Sequence, residues 1–273
     1  MQIKPKKSLG QNFLTDKNMQ KKIISSCKLT QEDIVLEIGS GRGDLTVLLA
    51  EQARKVYALE IDERFYPILE RSLGPYHNCQ ILKCDILKLN IKELLQTQKV
   101  DQKIKVIGNI PYYISSPIIE HLINYRHDVS EVFITVQKEF ARRVSSAFGS
   151  KEYGSFSCFV QYYMQCKILL EISRQCFHPT PKVDSAFLSL KFRNKPIVKI
   201  ADEGEFFKLI RKAFNQRRKT LRNSLEDLVD KQILESFFVD EGIDRNIRPE
   251  DFSLAQFARL RNFLDSAGKR LSL

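Results

Sequence analysis

The chain has 273 residues, enough for one large domain with a proper core and a second, small one. Its net charge of +11 and pI near 9.3 favour a polyanionic partner, and no apolar run approaches the roughly 20 residues of a membrane span, so a membrane partner is not expected. Six cysteines (Cys27, Cys79, Cys84, Cys158, Cys166 and Cys176) show no C-x-x-C pairing and the four histidines are scattered, a pattern of reduced thiols rather than of a metal site.

Residues 1–16 form a basic, turn-rich arm. It has no apolar stretch behind its lysines, so it does not read as a secretory signal, and a cytoplasmic location is expected. Lys4, Lys6 and Lys7 either meet phosphate or fray into solvent. Gln11-Asn12-Phe13-Leu14 reads as a loop placed to fold over a site, and Thr15 or Asp16 caps a helix carrying Met19, Ile23 and Ile24. The chain is then organised around Ile34-Val-Leu-Glu-Ile-Gly39-Ser-Gly41-Arg-Gly43-Asp44, a strand, a tight loop and a helix start. Glycine has no Cβ, so such a loop takes positive φ and lets a ligand lie against bare backbone. The next strand-like run ends in Glu60, about twenty residues on, where a carboxylate meets ribose hydroxyls. The G-x-G-x-G spacing misses the G-x-G-x-x-G fingerprint of pyrophosphate binding. It suits a phosphate-free nucleoside such as S-adenosylmethionine; a plain strand-to-helix turn is the alternative.

Strand-like runs recur at Ile34–Ile38, Val56–Glu60, Gln80–Cys84, Lys105–Gly108, Val132–Gln137, Ile168–Ile172 and Ala186–Phe192. Helical patterns at Asp44–Glu51, Glu63–Leu73, Ile91–Thr97, Pro117–Asn124, Glu139–Ser145 and Phe156–Met164 fill most of the gaps. This alternation predicts a mainly parallel α/β sheet covered on both faces, with ligands beyond the carboxyl ends of its strands. Glu60, Asp85 and Asn109 stand at three of those ends. Asp85, acceptor-only when ionised, suits an adenine amine, or else caps a helix.

Asn109-Ile110-Pro111-Tyr112-Tyr113 is the most specific run. The residue before proline is held extended, which aims carbonyl groups into the cleft. The exocyclic amine of a nucleobase is a poor nucleophile because its lone pair is delocalised into the ring. Acceptors at the Asn109 side chain and the Ile110 carbonyl would take both amine hydrogens and favour a pyramidal nitrogen, while Tyr112 stacks on the base. A proline turn with core tyrosines is the alternative.

After Phe192 the pattern changes: a linker-like crossing, then helices without strands over 205–265. Phe207, Ile210, Phe214, Leu221 and Leu225 fall on one side of a basic amphipathic element. Lys208, Arg211, Lys212, Arg217, Arg218, Lys219 and Arg222 supply its charge, with no acid between Phe206 and Leu225. Arg142 and Arg143 are placed to extend this basic surface.

The chain resembles the ribosomal RNA adenine dimethyltransferase family. The resemblance is carried by Ser8-Leu-Gly-Gln-Asn-Phe-Leu14, the glycine loop, Asn109–Tyr113, Phe177-His-Pro179-Thr-Pro181-Lys-Val183-Asp-Ser185 and Gln216-Arg-Arg-Lys-Thr-Leu-Arg-Asn-Ser-Leu225, in the family's order along essentially the whole chain. It implies a Rossmann-like class I methyltransferase domain over about residues 1–195 and a small all-α RNA-binding domain over about 200–273. Asn12, Leu14, Gly39, Gly41, Glu60, Asp85 and Asn109 would then hold S-adenosylmethionine, with Asn109, Ile110, Pro111 and Tyr112 as the catalytic run. Tyr112 and Phe177 would stack on the target base, and Arg211, Lys212, Arg217, Arg218, Lys219 and Arg222 would contact RNA. The arginine-rich segment and Arg248–Leu260 resemble the branch that dimethylates two adjacent adenines near the 3′ end of small-subunit (16S) RNA in the small ribosomal subunit. A monomer is expected, and no metal. A resistance-type enzyme of large-subunit RNA and a ribosome-assembly factor with incidental methylation are the alternatives.

Overall fold

The computed structural model describes residues 3–6, 9–216 and 218–266. Its main sheet has seven strands, built from β2 (Ile34–Ile38), β3 (Lys55–Glu60), β4 (Cys79–Lys83), β5 (Ile104–Asn109), β6 (Val129–Gln137), β7 (Met164–Ile172) and β9 (Ser185–Phe192), in the order β4-β3-β2-β5-β6-β9-β7. Strands β4, β3, β2, β5 and β6 run parallel, and β9 pairs antiparallel with β6. Five hydrophobic or buried positions in a row make β2 an interior strand, since a parallel strand covered on both faces has no polar side. The fold is α/β and Rossmann-like, as the alternating pattern implied. The edge strand β7 starts at Met164 rather than Ile168, because Gln165 and Lys167 face solvent and hide it from an apolar pattern.

Helices α1 (Lys17–Ser26) and α2 (Asp44–Ala50) bury Ile23, Ile24, Leu45 and Leu49 against Val35, Val56 and Ile107 of the sheet. Each such fully buried side chain contributes about 1.5–3 kcal/mol of transfer free energy. Asp16 caps α1 by accepting a hydrogen bond from the Met19 N–H at 2.8 Å. Further helices α3 (Tyr66–Leu73), α4 (Ile91–Thr97) and α5 (Ser115–Asn124) link the parallel strands.

The chain runs outward from β2 through β3 to β4, then returns to the other side of β2 as β5. Such a reversal is the usual ligand position in sheets of this kind. Gly108 sets the spacing there. A Cβ on it would lie 2.8 Å from the Ile38 carbonyl oxygen and 3.1 Å from the Ile38 Cβ, so only glycine lets β5 sit this close to β2.

The arm is more ordered than a loop. Phe13–Leu14 forms a short strand, β1, paired antiparallel with β8 (Phe177–His178), Leu14 opposite Phe177. Two-residue strands carry no periodicity, so no pattern announced them.

The chain divides into two compact units, Met1–Ala141 with Gln165–Phe192, and Arg142–Met164 with Arg193–Leu273. The segment 142–164, expected in the first domain, thus joins the second unit. The reason is aromatic packing: Phe159 and Tyr162 of α7 (Ser155–Tyr163) lie 5.1 and 5.3 Å from the Phe207 ring of α8 (Glu203–Phe214). The basic amphipathic element is also two helices rather than one. α8 stops at Phe214, and Thr220 caps α9 (Leu221–Leu225) by accepting from the Asn223 N–H. α10 (Lys231–Asp240) and α11 (Leu254–Ser266) complete the unit.

Replacing Gly108 with alanine should destabilise the protein by about 1–3 kcal/mol, because backbone cannot yield as a side chain can. Chemical denaturation reads this directly, and an unchanged midpoint would mean that the β2–β5 approach is not a constraint.

Candidate functional site

A cavity opens beyond the carboxyl ends of β2, β3 and β5. Leu9 to Phe13, Gly39, Gly41, Glu60, Ile61, Asp85, Ile86 and Asn109 to Ile114 are among the residues that line it. The sequence-predicted Asn12, Gly39, Gly41, Glu60, Asp85, Asn109, Ile110, Pro111 and Tyr112 are therefore brought together. Leu14 and Phe177 are not. Leu14 is 4% exposed and Phe177 2%, both in the hydrophobic core with Ile24, Leu45 and Ile172; neither lines this cavity, although Leu14 lines the adjoining space with Phe13, Gly39, Gly41 and Asn109. The expectation that the Phe177 ring covers a target base is corrected by this placement: the ring anchors the arm through the β1–β8 pair.

The glycine loop is held from beneath. Gly39 and Ser40 N–H both donate to the Leu59 carbonyl, at 2.9 and 3.0 Å. Gly39 (φ +76°) and Gly41 (φ +53°) are in the left-handed region that favours glycine. The Gly41 N–H donates to Glu60 Oε2 at 2.7 Å, and Ile61 and Asp62 N–H donate to Glu60 Oε1 at 2.9 and 2.7 Å. Glu60 is buried, and desolvation pushes its carboxyl pKa up against the pull of these three bonds. Oε1 takes two of these bonds and Oε2 one, so Oε2 keeps a lone pair for a ligand hydroxyl.

Asp85, which lines the cavity, caps the short turn after β4 with Oδ1 accepting from the Leu87 N–H at 3.0 Å. Asn109 Nδ2 donates to the Asn12 carbonyl at 2.8 Å. That bond orients the amide, since a carbonyl can face only the NH₂ end, and it leaves Oδ1 as an acceptor. Tyr112 opens a short helical turn, and its phenol lies 2.6 Å from the Ser185 hydroxyl. Among the described residues no lysine or arginine lines the cavity, while two carboxylates do. Charge alone disfavours a phosphate-bearing ligand and favours a cationic one.

Sequence reasoning missed three features. The first is the latch of the arm, centred on Asp62. This carboxylate accepts from Gln11 Nε2 at 2.9 Å and from Arg64 Nε and Nη2 at 2.8 and 2.6 Å. The Arg64 guanidinium holds it well below the usual carboxylate range. Arg64 Nη1 also donates to the Lys4 carbonyl at 3.1 Å, and Phe13 packs on Phe65 at 5.4 Å. An acid two positions after Glu60 was the only available signal. The second is Ser185, whose partner is remote in sequence. The third is Glu37 in the middle of β2, buried, accepting from Thr46 Oγ1 at 2.6 Å and so tying β2 to α2.

The expected RNA contacts lie in the second unit, except Arg217, which lies outside the described residues. Acids from outside the basic stretch pair with several of them: Asp227 with Lys212 at 2.8 Å, Glu226 with Lys219 at 3.4 Å and Glu235 with Arg222 at 2.8 Å. The Lys212 and Lys219 pairs, each with a well-exposed carboxylate, are worth about 0–1 kcal/mol, so other anions can displace them. Arg211 and Arg218 are exposed.

A model of the ribosomal RNA adenine dimethylase family matches residues 2–266. The chain belongs to that family. It is 41% identical, over 95% of its own length and 91% of theirs, to proteins from Bacillus mycoides and Bacillus cereus named ribosomal RNA small subunit methyltransferase A. Among solved structures it resembles a dimethyladenosine transferase from Plasmodium falciparum (TM-score 0.76, 25% identity, 94% of this chain and 98% of that one). It resembles the 23S rRNA methyltransferase ErmE almost as well (TM-score 0.74, 25% identity, 93% and 99%). The names of the sequence relatives, unlike that of ErmE, refer to the small subunit.

Burial pushes the Glu37 carboxyl up to about 7 from 4.5. A raised folded-state pKa means that the folded protein binds the extra proton between these values, so stability falls as pH rises through that window. Glu37→Gln should remove this loss, gaining up to about 3 kcal/mol on the wild type between pH 4.5 and 7.5. Denaturation midpoints of both proteins across that range check it; parallel profiles would contradict it.

Proposed function

We propose that the protein transfers methyl groups from S-adenosylmethionine to the N6 amines of two adjacent adenosines near the 3′ end of small-subunit ribosomal RNA, during assembly of the subunit in the cytoplasm. The observation that carries this reading is the orientation of Asn109: its Nδ2 is engaged by the Asn12 carbonyl, which leaves Oδ1 as an acceptor in a cavity that Ile110 also lines. The 41% identity to proteins named for the small subunit favours that RNA over the large-subunit RNA of the structural neighbour.

The cavity suits the donor on its own features. Gly39, at φ +76°, lets the loop turn so that its backbone lines the cavity beside Asn109. Ile61 is 53% exposed at the cavity wall, an apolar side chain that a purine face would cover. Glu60 would accept from the ribose hydroxyls, Asp85 from the adenine amine, and the backbone of Gly39 and Gly41 would line the methionine portion. When bound, the cofactor supplies a methyl group on a sulfonium sulfur.

The chain's own part is positioning and polarisation. Asn109 Oδ1 and the Ile110 carbonyl accept the two amine hydrogens, which withdraws the nitrogen lone pair from conjugation and points it towards the methyl group. Pro111 fixes the extended backbone that aims the Ile110 carbonyl. The Tyr112 ring supports the base, and the Asp62 latch keeps Asn12 in place over Asn109. Preorganised acceptors and a held geometry together supply the rate enhancement. The arginines and lysines of α8, α9 and the turn between them would hold RNA phosphates, which makes binding fall steeply with salt.

Glu60→Ala should weaken cofactor binding at least about tenfold, since a desolvated acceptor and a loop anchor are lost together; unchanged affinity by calorimetry would refute the cofactor assignment. Incubation with labelled S-adenosylmethionine and unmethylated small subunits should place label in small-subunit RNA as dimethyladenosine. Label confined to large-subunit RNA would move the protein to the resistance-type reading.

A further inference from the structure

Ser185 is fully buried at the first position of β9, and its hydroxyl lies 2.6 Å from the Tyr112 phenol, 73 residues away in sequence. Its position is held by the neighbouring backbone. The Asp184 carbonyl accepts from the Lys138 N–H at 3.0 Å, the Asp184 carboxylate accepts from the Arg174 N–H at 3.0 Å, and Ser185 itself sits opposite Gln137 in the β6–β9 register. Tyr112 is fixed at its other end, where its carbonyl accepts from the Ser115 hydroxyl at 3.0 Å. Between these two points the side chain has two free torsions. Packing limits them, but a half-exposed ring facing a cavity keeps some freedom unless its far end is tied. The bond to Ser185 is the tie.

We propose that Ser185 is a positioning residue that acts through Tyr112, holding the ring at the angle on which the target adenine stacks. The Phe177–Ser185 segment then serves the reaction through its last residue, while its first residue packs in the core. The proposal rests on the functional reading above for the identity of the base, and on the Tyr112–Ser185 geometry for the mechanism.

Ser185→Ala and Tyr112→Phe remove the same bond from opposite sides and leave both the ring and the backbone. Single-turnover methyl transfer at saturating cofactor should fall about tenfold in either variant, a typical penalty for a misaligned reactant. The double variant should be no slower than the slower single one. Cofactor affinity by calorimetry should stay at the wild-type value in all three. Losses that multiply to about a hundredfold in the double variant, or an unchanged rate in Ser185→Ala, would overturn the proposal. So would an equal loss of cofactor affinity, the mark of a merely structural serine. Should Ser185→Ala not fold, Tyr112→Phe decides alone: a tenfold loss at intact cofactor affinity supports the role and an unchanged rate removes it. Rates are taken relative to wild type on whichever ribosomal RNA wild type methylates. Label only in large-subunit RNA therefore sinks the substrate reading, and the same comparison on that RNA still decides the role of Ser185.

Discussion

The bond from the Gly41 N–H to the Glu60 carboxylate joins the two features on which the cavity depends. One is a loop that only glycine can form, and the other is a charge held at the end of a buried strand. Without that acceptor the loop N–H would point into a desolvated space, and without the loop the carboxylate would be buried with fewer donors. Unpaired groups of either kind cost about 1–3 kcal/mol, more when charged. Three backbone donors offset much of the desolvation of Glu60, yet its pKa still lies above the ordinary value. A carboxyl in that condition gains from further hydrogen-bond donors, which is the chemical character of a ribose.

The arm extends the same logic to the opposite wall. Asn12 meets Asn109 through its backbone carbonyl, so the arm both lines the cavity and selects the amide orientation of Asn109. Its hold comes from two sources of different kind. Leu14 and Phe177 bury apolar surface, and Asp62 gathers Gln11 and Arg64 into a charge-assisted network. Apolar packing is indifferent to pH and salt; the carboxylate network, largely out of solvent, is screened little by salt and stays ionised because Arg64 depresses its pKa.

The second unit poses a different physical problem. Its core is aromatic, with Phe206, Phe207, Tyr162 and Phe257 buried, while Lys212, Lys219 and Arg222 of its basic stretch pair with carboxylates from beyond that stretch. Such pairs reduce the self-repulsion of a strongly basic stretch.

How much of this was legible in the residues follows from the range of the interactions. The β2–loop–α2 unit, the position of Glu60 and the Asn109–Tyr113 run could be read because their signals are local: an apolar run, glycines at fixed spacing, a proline after a strand end. The alternating pattern likewise determined the α/β class and placed the polar strand ends on one side of the sheet. Tertiary structure decided what depends on residues far apart in the chain. Phe177 became core rather than a base-facing ring because Leu14 pairs with it across 163 residues of sequence. Residues 142–164 joined the second unit because the rings of α7 meet Phe207. The basic stretch found acids that its own composition lacks, and Tyr112 found Ser185. None of these partners has a fixed spacing, and burial of a side chain or of a charge is set by the neighbours that the whole fold supplies.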